Sequence, residues 1–222
     1  MNRIFWAGDS TVATNHIDSY PQTGIGQVFG LYLKDDITVR NFAVNGRSTK
    51  SFMDEGRLEK IDREIAEGDL LFIQFGHNDE KEMDPSRYTA PFGAYQDNLR
   101  KYISVARSHG AQPVLITPLE RRNFDPATGV IVPTHGDYPA AMKQVAEEEK
   151  VPCIDLNRSS RELMDSVGNE ASKEFFVHVP AGKYAAFPDG KADNTHLRYH
   201  GAVTFAGLIA NELRSCFDRL FP

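Results

Sequence analysis

Four short segments, each rich in glycine and polar residues, carry the side chains of this sequence that are best suited to catalysis. They are Gly8-Asp9-Ser10-Thr11, Asn45-Gly46-Arg47-Ser48, Gly76-His77-Asn78-Asp79 and Asp193-Asn194-Thr195-His196. Each segment alone is typical of a turn before a helix, because Gly, Asn, Asp and Ser are common turn residues. Together they supply a hydroxyl, an imidazole, a carboxylate and amide donors, which are the groups that acyl transfer requires.

Three of these side chains have the types expected of a nucleophile, its base and the group that orients the base. The hydroxyl of Ser10 is a weak nucleophile until a base lies beside it. His196 is the candidate base, because imidazole gains and loses a proton near neutral pH. Asp193, three residues earlier in the chain, is predicted to hold the imidazole in the required tautomer. The sequence contains no G-x-S-x-G motif, which excludes a hydrolase of the nucleophile-elbow type.

Acyl transfer also needs donors for the oxyanion that develops on the carbonyl. Gly46 is predicted to offer a backbone N–H, since the lack of a side chain allows the substrate to approach closely. Asn78 adds a side-chain amide, and the backbone N–H of Ser10 is the third expected donor.

The elements that must position these residues alternate between short strands and longer helical stretches. Strands are predicted at Arg3–Ala7, Ile37–Phe42, Leu70–Phe75, Pro113–Thr117 and Pro152–Asp155. Helices are predicted at Ile25–Leu33, Arg87–Ser108, Tyr138–Lys150 and Tyr199–Leu220. This alternation favours a doubly wound parallel sheet with helices on both faces, where ligands bind beyond the carboxyl ends of the strands.

Length and composition fit one α/β domain over residues 1–222, with 41% hydrophobic residues available for a core. The formal net charge of −6 argues against a nucleic-acid partner or an anionic membrane, since both attract basic surfaces. No apolar run approaches the length of a membrane span. Met1 is followed almost at once by the first predicted strand, with no signal sequence before it, so we expect a cytoplasmic protein.

Cysteine and histidine usage favours neither disulfides nor a metal. Cys153 and Cys216 are distant from each other in the sequence, and we expect two reduced, mostly buried thiols. His77, His135, His178 and His200 show no spacing typical of zinc ligands, so no metal site is predicted.

The four polar segments resemble the signature of the SGNH, or GDSL, hydrolases. Longer stretches narrow the resemblance to rhamnogalacturonan acetylesterases: Ala7–Val12, Gly24–Gln27, Asn45–Phe52 and Asp189–His196. The resemblance implies a three-layer α/β/α flavodoxin-like sandwich with a central five-stranded parallel sheet and no metal or cofactor. It also implies removal of O-acetyl groups from pectin-derived oligosaccharides, and the triad chemistry adds an acetyl-enzyme intermediate on Ser10. Ile25 departs from the tryptophan of many such relatives, which affects the substrate rim or the packing.

Several cations are expected in loops near the carboxyl ends of the strands, where they are suited to binding galacturonate carboxylates. The candidate substrate contacts are Arg47, Lys50, Arg121, Arg122 and Lys183, together with His77 beside the predicted oxyanion residue. The expected partner is therefore a small acetylated oligosaccharide.

Two other functions remain open from the sequence. The first is an SGNH esterase acting on acetylated xylan, a lipid or a thioester, although loops rich in Asn, Asp, Arg and Lys disfavour a lipase. The second is a carbohydrate-binding module that has kept the fold without chemistry, which intact Ser10, Asp193 and His196 disfavour.

Overall fold

Five parallel strands form the central sheet of the computed structural model, which describes residues 3–222. The order across the sheet is β2-β1-β3-β4-β5, with bounds Arg3–Gly8 (β1), Thr38–Asn41 (β2), Leu70–Gln74 (β3), Gln112–Ile116 (β4) and Cys153–Ile154 (β5). Strand β1 lies at the centre, with Trp6 paired to Asn41 of β2 and to Phe72 of β3. The expectation of a cytoplasmic protein rests on the chain start at Met1, which lies outside the described residues.

Helices cover both faces of the sheet. Their bounds are Ile25–Val28 (α1), Thr49–Asp54 (α2), Arg57–Glu64 (α3), Gln96–Ser108 (α4), Tyr138–Glu149 (α5), Leu156–Val167 (α6), Asn169–Ser172 (α7) and Tyr199–Phe217 (α8). Short 3₁₀ turns extend α1 over Phe29–Tyr32 and α8 over Asp218–Leu220.

Side chains that alternate along each strand enter two separate cores. Trp6 and Phe72 face a core completed by residues of α8 such as Phe205 and Ile209. The next residues along the strands enter a second core, which α3, α4 and α5 complete. Both faces of the sheet are therefore buried, which is why its central strands are almost continuously apolar. The prediction of a three-layer sandwich with a five-stranded parallel sheet is confirmed.

Two predicted elements differ from the structure. The helix expected from Arg87 begins at Gln96, because Pro91 opens a wider turn in which Phe92 and Gly93 have non-helical backbone angles. The segment around Asp193 and His196, whose composition is typical of a turn before a helix, is strand β7 (Lys191–Leu197). This strand pairs antiparallel with β6 (Phe176–Val179) outside the central sheet.

The cysteines and the helices add two further observations. Both thiols are free, but Cys216 is exposed on α8 and Cys153 is half-buried, so the expectation of burial is wrong for Cys216. Within residues 3–222, none of the helices is long and apolar enough to cross a bilayer.

Candidate active site

The loop after β1 presents Ser10 at the carboxyl edge of the sheet. The Asp9 carboxylate accepts hydrogen bonds from the N–H (2.9 Å) and the hydroxyl (2.8 Å) of Thr11, and the Asp9 carbonyl accepts from the N–H of Ala13. These bonds close a tight turn directly after the strand, which is a local structure that an aspartate side chain favours. Ser10 lies inside this turn and is mostly buried.

The structure brings Ser10, His196 and Asp193 into one hydrogen-bonded chain. His196 Nε2 lies 3.1 Å from Ser10 Oγ, and His196 Nδ1 lies 2.8 Å from Asp193 Oδ2. With the proton on Nδ1, the imidazole donates to the carboxylate and presents Nε2 as the acceptor for the serine hydroxyl. This geometry is suited to withdrawing a proton from Ser10.

Asp193 is held as a carboxylate by its neighbours. Its Oδ1 accepts hydrogen bonds from the backbone N–H groups of Thr195 and His196, each at 2.8 Å. Burial raises the pKa of Asp193, but the hydrogen bonds from the His196 side chain and from these two N–H groups outweigh it and hold the pKa well below its usual range. The negative charge beside the imidazole is therefore present throughout the neutral range.

A buried arginine fixes the strand that carries Asp193 and His196. Arg122 donates through Nε to Ser172 Oγ (3.0 Å) and through Nη1 to Asn194 Oδ1 (3.1 Å), and its Nη2 contacts Asn169. Its backbone N–H also bonds to the carbonyl of Asn194 (2.9 Å). Arg122 was predicted to contact the substrate; the structure instead places it 94% out of solvent, with its donors used on protein acceptors beside β7.

The three residues predicted to supply N–H donors, Ser10, Gly46 and Asn78, line one cavity. Within residues 3–222, the backbone N–H groups of Ser10 and Gly46 donate to no protein acceptor. The Asn78 amide donates to the carbonyl of Arg47 (3.1 Å), while its Oδ1 faces Arg87 Nη1 at 3.5 Å. These two contacts orient the amide, and one N–H of Nδ2 remains for a ligand.

Glycine is required at two positions around these donors. Gly46 has a φ of +78°, in the left-handed region that other residues rarely adopt. At Gly76, an added Cβ would lie 2.8 Å from Pro118 Cγ, so a side chain there would displace the loop that carries Asn78.

Asp79 ties the Asn78 loop to the start of α2. Its carboxylate accepts from the Thr49 N–H (3.0 Å) and from the hydroxyls of Thr49 (2.5 Å) and Thr89 (2.8 Å). Burial raises the pKa of Asp79 to about 7, against the lowering effect of these hydrogen bonds. Asp79 is fully buried, which indicates that it organises the loops and does not contact a substrate.

His77, directly before Asn78 in the chain, faces Asp9 in the loop after β1. Its Nδ1 is 3.5 Å from Asp9 Oδ2, and its ring packs edge-on against His135 with the centroids 4.4 Å apart. Burial, together with the neighbouring charges of His135 and Arg121, lowers the pKa of His77 to about 4. His77 is therefore a neutral imidazole at physiological pH.

A cavity of about 430 Å³ opens above Ser10, which is within the size range of small-molecule sites. We call it the Ser10 cavity; its lining residues are Ser10, Asn45, Gly46, His77, Asn78, Lys81, Arg121, Asp193, Thr195 and His196. The predicted triad and all three predicted oxyanion residues are among them. In the part of the chain that the structure describes, no cluster of three or more His, Cys, Asp or Glu side chains is arranged to hold a metal ion.

The predicted cationic contacts lie in different places. Arg121 lines the Ser10 cavity, whereas Arg47 lines an adjoining cavity of about 320 Å³ and pairs with Glu55 at 2.8 Å. Lys50 donates to the carbonyl of Pro85 (2.7 Å), and Lys183 lies over the ring of Tyr184; neither lines the Ser10 cavity.

Lys81 also lines the cavity, and it was not among the residues predicted to contact the substrate. It follows the third polar segment by two residues, and its backbone N–H bonds to the carbonyl of Asn78 (3.3 Å). Proximity to that segment was the only sequence signal that could have identified it.

Comparisons with known proteins identify related sequences. The sequence model of the GDSL-like lipase/acylhydrolase family matches residues 7–197. The chain is 44% identical over 208 residues to rhamnogalacturonan acetylesterase RhgT of Bacillus subtilis, a match that covers 94% of this chain and 88% of the relative. It is 41% identical over 213 residues to the probable rhamnogalacturonan acetylesterase YesY of the same organism, covering 96% of this chain and 93% of the relative.

Solved structures of other proteins share the fold of this chain. The crystal structure of protein YxiM of Bacillus subtilis superposes with a TM-score of 0.83 at 29% identity, covering 97% of this chain and 57% of that longer one. Axe2, an acetylxylan esterase from Geobacillus stearothermophilus, superposes with a TM-score of 0.63 over 95% of this chain and 93% of that one. Its identity of 16% limits this second likeness to the fold.

Proposed function

Because this chain belongs to the GDSL-like lipase/acylhydrolase family, we propose that it is a serine esterase that removes O-acetyl groups from carbohydrates. The observation that carries the proposal is the hydrogen-bonded chain from Ser10 through His196 to Asp193, at 3.1 Å and 2.8 Å, in the wall of a cavity with unused N–H donors. These are the groups that ester hydrolysis needs, in the order in which it uses them.

The reaction begins with attack of Ser10 Oγ on the acetyl carbonyl carbon, while His196 Nε2 takes the hydroxyl proton. The carbonyl oxygen becomes an oxyanion that accepts hydrogen bonds from the N–H groups of Ser10, Gly46 and Asn78. When the tetrahedral intermediate collapses, the bond to the sugar oxygen breaks and His196 returns the proton to that oxygen. The sugar leaves with a free hydroxyl, and the acetyl group remains on Ser10.

Water then completes the cycle. His196 takes a proton from a water molecule as its oxygen attacks the acetyl-Ser10 carbonyl, and the same donors hold the second oxyanion. Collapse breaks the bond to Ser10 Oγ, which recovers its proton from His196, and acetate is released. Asp193 stabilises the imidazolium that forms in both halves of the reaction.

Carbohydrate fits this cavity better than a lipid. Its lining side chains carry hydroxyl, amide, imidazole, carboxylate, ammonium and guanidinium groups, which can hydrogen-bond to sugar hydroxyls. A fatty acyl chain would place apolar surface against these groups and would leave them without partners.

Within the carbohydrates, we propose acetylated rhamnogalacturonan oligosaccharides derived from pectin as substrates. The support is the identity of 44% and 41% to two relatives named as rhamnogalacturonan acetylesterases, each aligned over more than nine-tenths of this chain. The likeness to an acetylxylan esterase concerns the fold, so xylan derivatives form the comparison substrate.

The test is acetate release by the purified protein from acetylated rhamnogalacturonan oligosaccharides and, in parallel, from acetylated xylo-oligosaccharides. The proposal predicts a kcat/KM at least tenfold higher on the first substrate. A preference for the xylan fragments would refute the pectin assignment while leaving the esterase assignment intact. If the protein released acetate from neither substrate and did not hydrolyse p-nitrophenyl acetate, the esterase assignment would be refuted.

A further inference from the structure

Arginine side chains around the Ser10 cavity are already paired with carboxylates. Arg121 contacts Glu80, Arg87 lies 2.5 Å from Asp84, and Arg47 lies 2.8 Å from Glu55. Arg121 additionally donates to the Thr134 hydroxyl (3.3 Å) and the His77 carbonyl (3.4 Å), so its guanidinium has protein partners on several sides. These cations contribute positive potential but few free donors.

Lys81 differs from these arginines. Its side chain is exposed and lines the Ser10 cavity, yet its ammonium makes no ion pair and no hydrogen bond with any residue between 3 and 222. In a protein with a net charge of −6, an unpaired cation in the wall of a catalytic cavity is available for an anionic ligand.

The backbone holds Lys81 in a fixed relation to the oxyanion donors. Its N–H donates to the carbonyl of Asn78 (3.3 Å), and its own carbonyl accepts from the N–H of Asp84 (2.8 Å). The loop that places the Asn78 amide therefore also places the base of the lysine side chain. Because Ser10 and Lys81 line the same cavity, one ligand can contact both side chains.

The surroundings of the ammonium favour an anion. Partial desolvation at the cavity wall lowers the pKa of Lys81, and the positive charges of Arg87 and Arg121 lower it further. The nearby Asp84 and Glu80 act in the opposite direction but are engaged by these arginines. An added negative charge would relieve this repulsion between cations.

We propose that Lys81 binds a carboxylate of the acetylated substrate, and so selects esters whose sugar chain carries a uronate close to the acetylated ring. The inference rests on the proposed carbohydrate esterase function and deepens it by naming the residue that reads the acidic group. One unpaired ammonium matches the single charge of a carboxylate, whereas a doubly charged phosphate would bring more charge than it can neutralise.

The experiment compares wild type with Lys81→Met, which keeps the aliphatic stem and removes the charge. Lys60→Met on the exposed face of α3 is the matched control, because it changes the net charge equally away from the cavity. The substrates are acetylated uronate-containing oligosaccharides and the same oligosaccharides with the carboxylates methyl-esterified. The readout is the ratio of kcat/KM for acetate release, acidic over neutral substrate.

The proposal predicts that this ratio falls roughly fivefold to tenfold in Lys81→Met and stays at the wild-type value in Lys60→Met. It also predicts that added salt lowers the wild-type ratio and has a weaker effect on that of Lys81→Met. An equal ratio in wild type and Lys81→Met would overturn the role of Lys81 and leave the esterase function standing. If wild type released acetate from neither form, both the proposed function and this inference would be refuted.

Discussion

The ammonium of Lys191 lies 3.2 Å from Asp193 Oδ2, the same oxygen that is 2.8 Å from His196 Nδ1. Two cationic partners thus share one carboxylate oxygen when His196 is protonated. Lys191 also lies over the ring of Phe187, 5.0 Å from its centroid, which orients the side chain. A second positive charge beside Asp193 weakens the attraction between this carboxylate and an imidazolium.

Replacing Lys191 by Gln should therefore move the acid limb of the pH profile. Without the lysine charge, the Asp193 carboxylate is no longer shared between two cations, which favours the imidazolium that forms in the proposed reaction. We expect the acid limb of kcat/KM on a neutral acetyl ester to shift upward by about half a pH unit, since the ammonium is partly exposed and screened. Lys60→Gln serves as the control, and an equal shift there would show a general effect of net charge.

Asp193→Asn should move the same limb in the opposite direction. The interaction that lowers the pKa of Asp193 is reciprocal, so removing the carboxylate disfavours the imidazolium and shifts the acid limb to lower pH. The amide also holds the ring in the wrong tautomer, so kcat should fall by roughly 10⁴-fold. A pH–rate profile with an unmoved limb and near-normal kcat would mean that Asp193 does not orient His196.

The same carboxylate links pH to stability. The pKa of Asp193 is lowered from an ordinary value of 3.8, so its ionised form stabilises the folded state above that pH. The contribution is lost as the pH falls through the lowered value. Urea unfolding should accordingly show a smaller loss of stability between pH 5 and roughly pH 2 in Asp193→Asn than in wild type, and parallel curves would contradict this.

Asn78→Ala tests the oxyanion donors. In the proposed reaction the amide bonds the developing oxyanion more strongly than the ground-state carbonyl, so kcat should fall by about 10²- to 10³-fold with little change in KM. Steady-state kinetics on acetylated oligosaccharides give both constants. A tenfold rise in KM at constant kcat would instead identify Asn78 as a residue that binds the ground state.

Arg122→Met tests the support of strand β7. Its removal leaves acceptors of Ser172, Asn169 and Asn194 without their buried donor, so the free energy of unfolding should fall by about 2–3 kcal/mol. Arg158→Met is the control, because that arginine is exposed and its ion pairs, at 3.9 Å, are worth little. Equal unfolding curves for Arg122→Met and wild type would show that Arg122 does not hold β7 in place.

The three inner strands of the central sheet, β1, β3 and β4, could be predicted because burial on both faces demands nearly continuous apolar residues, as in Leu70–Gln74. The three polar segments that follow β1, β2 and β3 could be recognised as parts of one site for a related reason, because parallel strands end at one edge of the sheet. Strand β7 could not be recognised, because its ribbon pairs outside the central sheet and its residues are mostly polar and only partly buried. Neither periodicity nor hydrophobicity marks such a strand.

The positions of the cationic side chains could not be predicted from the sequence. Arg122 and Lys81 look alike in the sequence, as charges that follow a strand end. Acceptors from α7 and β7 converge on Arg122 and bury it, whereas one turn beginning at Asn78 leaves Lys81 at the cavity. Both outcomes depend on contacts between residues that are distant in the chain or on a particular loop geometry.

The central claim, that Ser10 is the nucleophile of an acetylesterase, is tested most directly by Ser10→Ala. The change removes one hydroxyl and no core volume, so circular dichroism and Tm should stay at wild-type values. We predict that kcat for acetate release falls by about four orders of magnitude or more, and that mass spectrometry of rapidly quenched wild type finds an acetyl group on Ser10 that the variant lacks. A folded Ser10→Ala protein that kept even a tenth of the wild-type kcat would contradict the account.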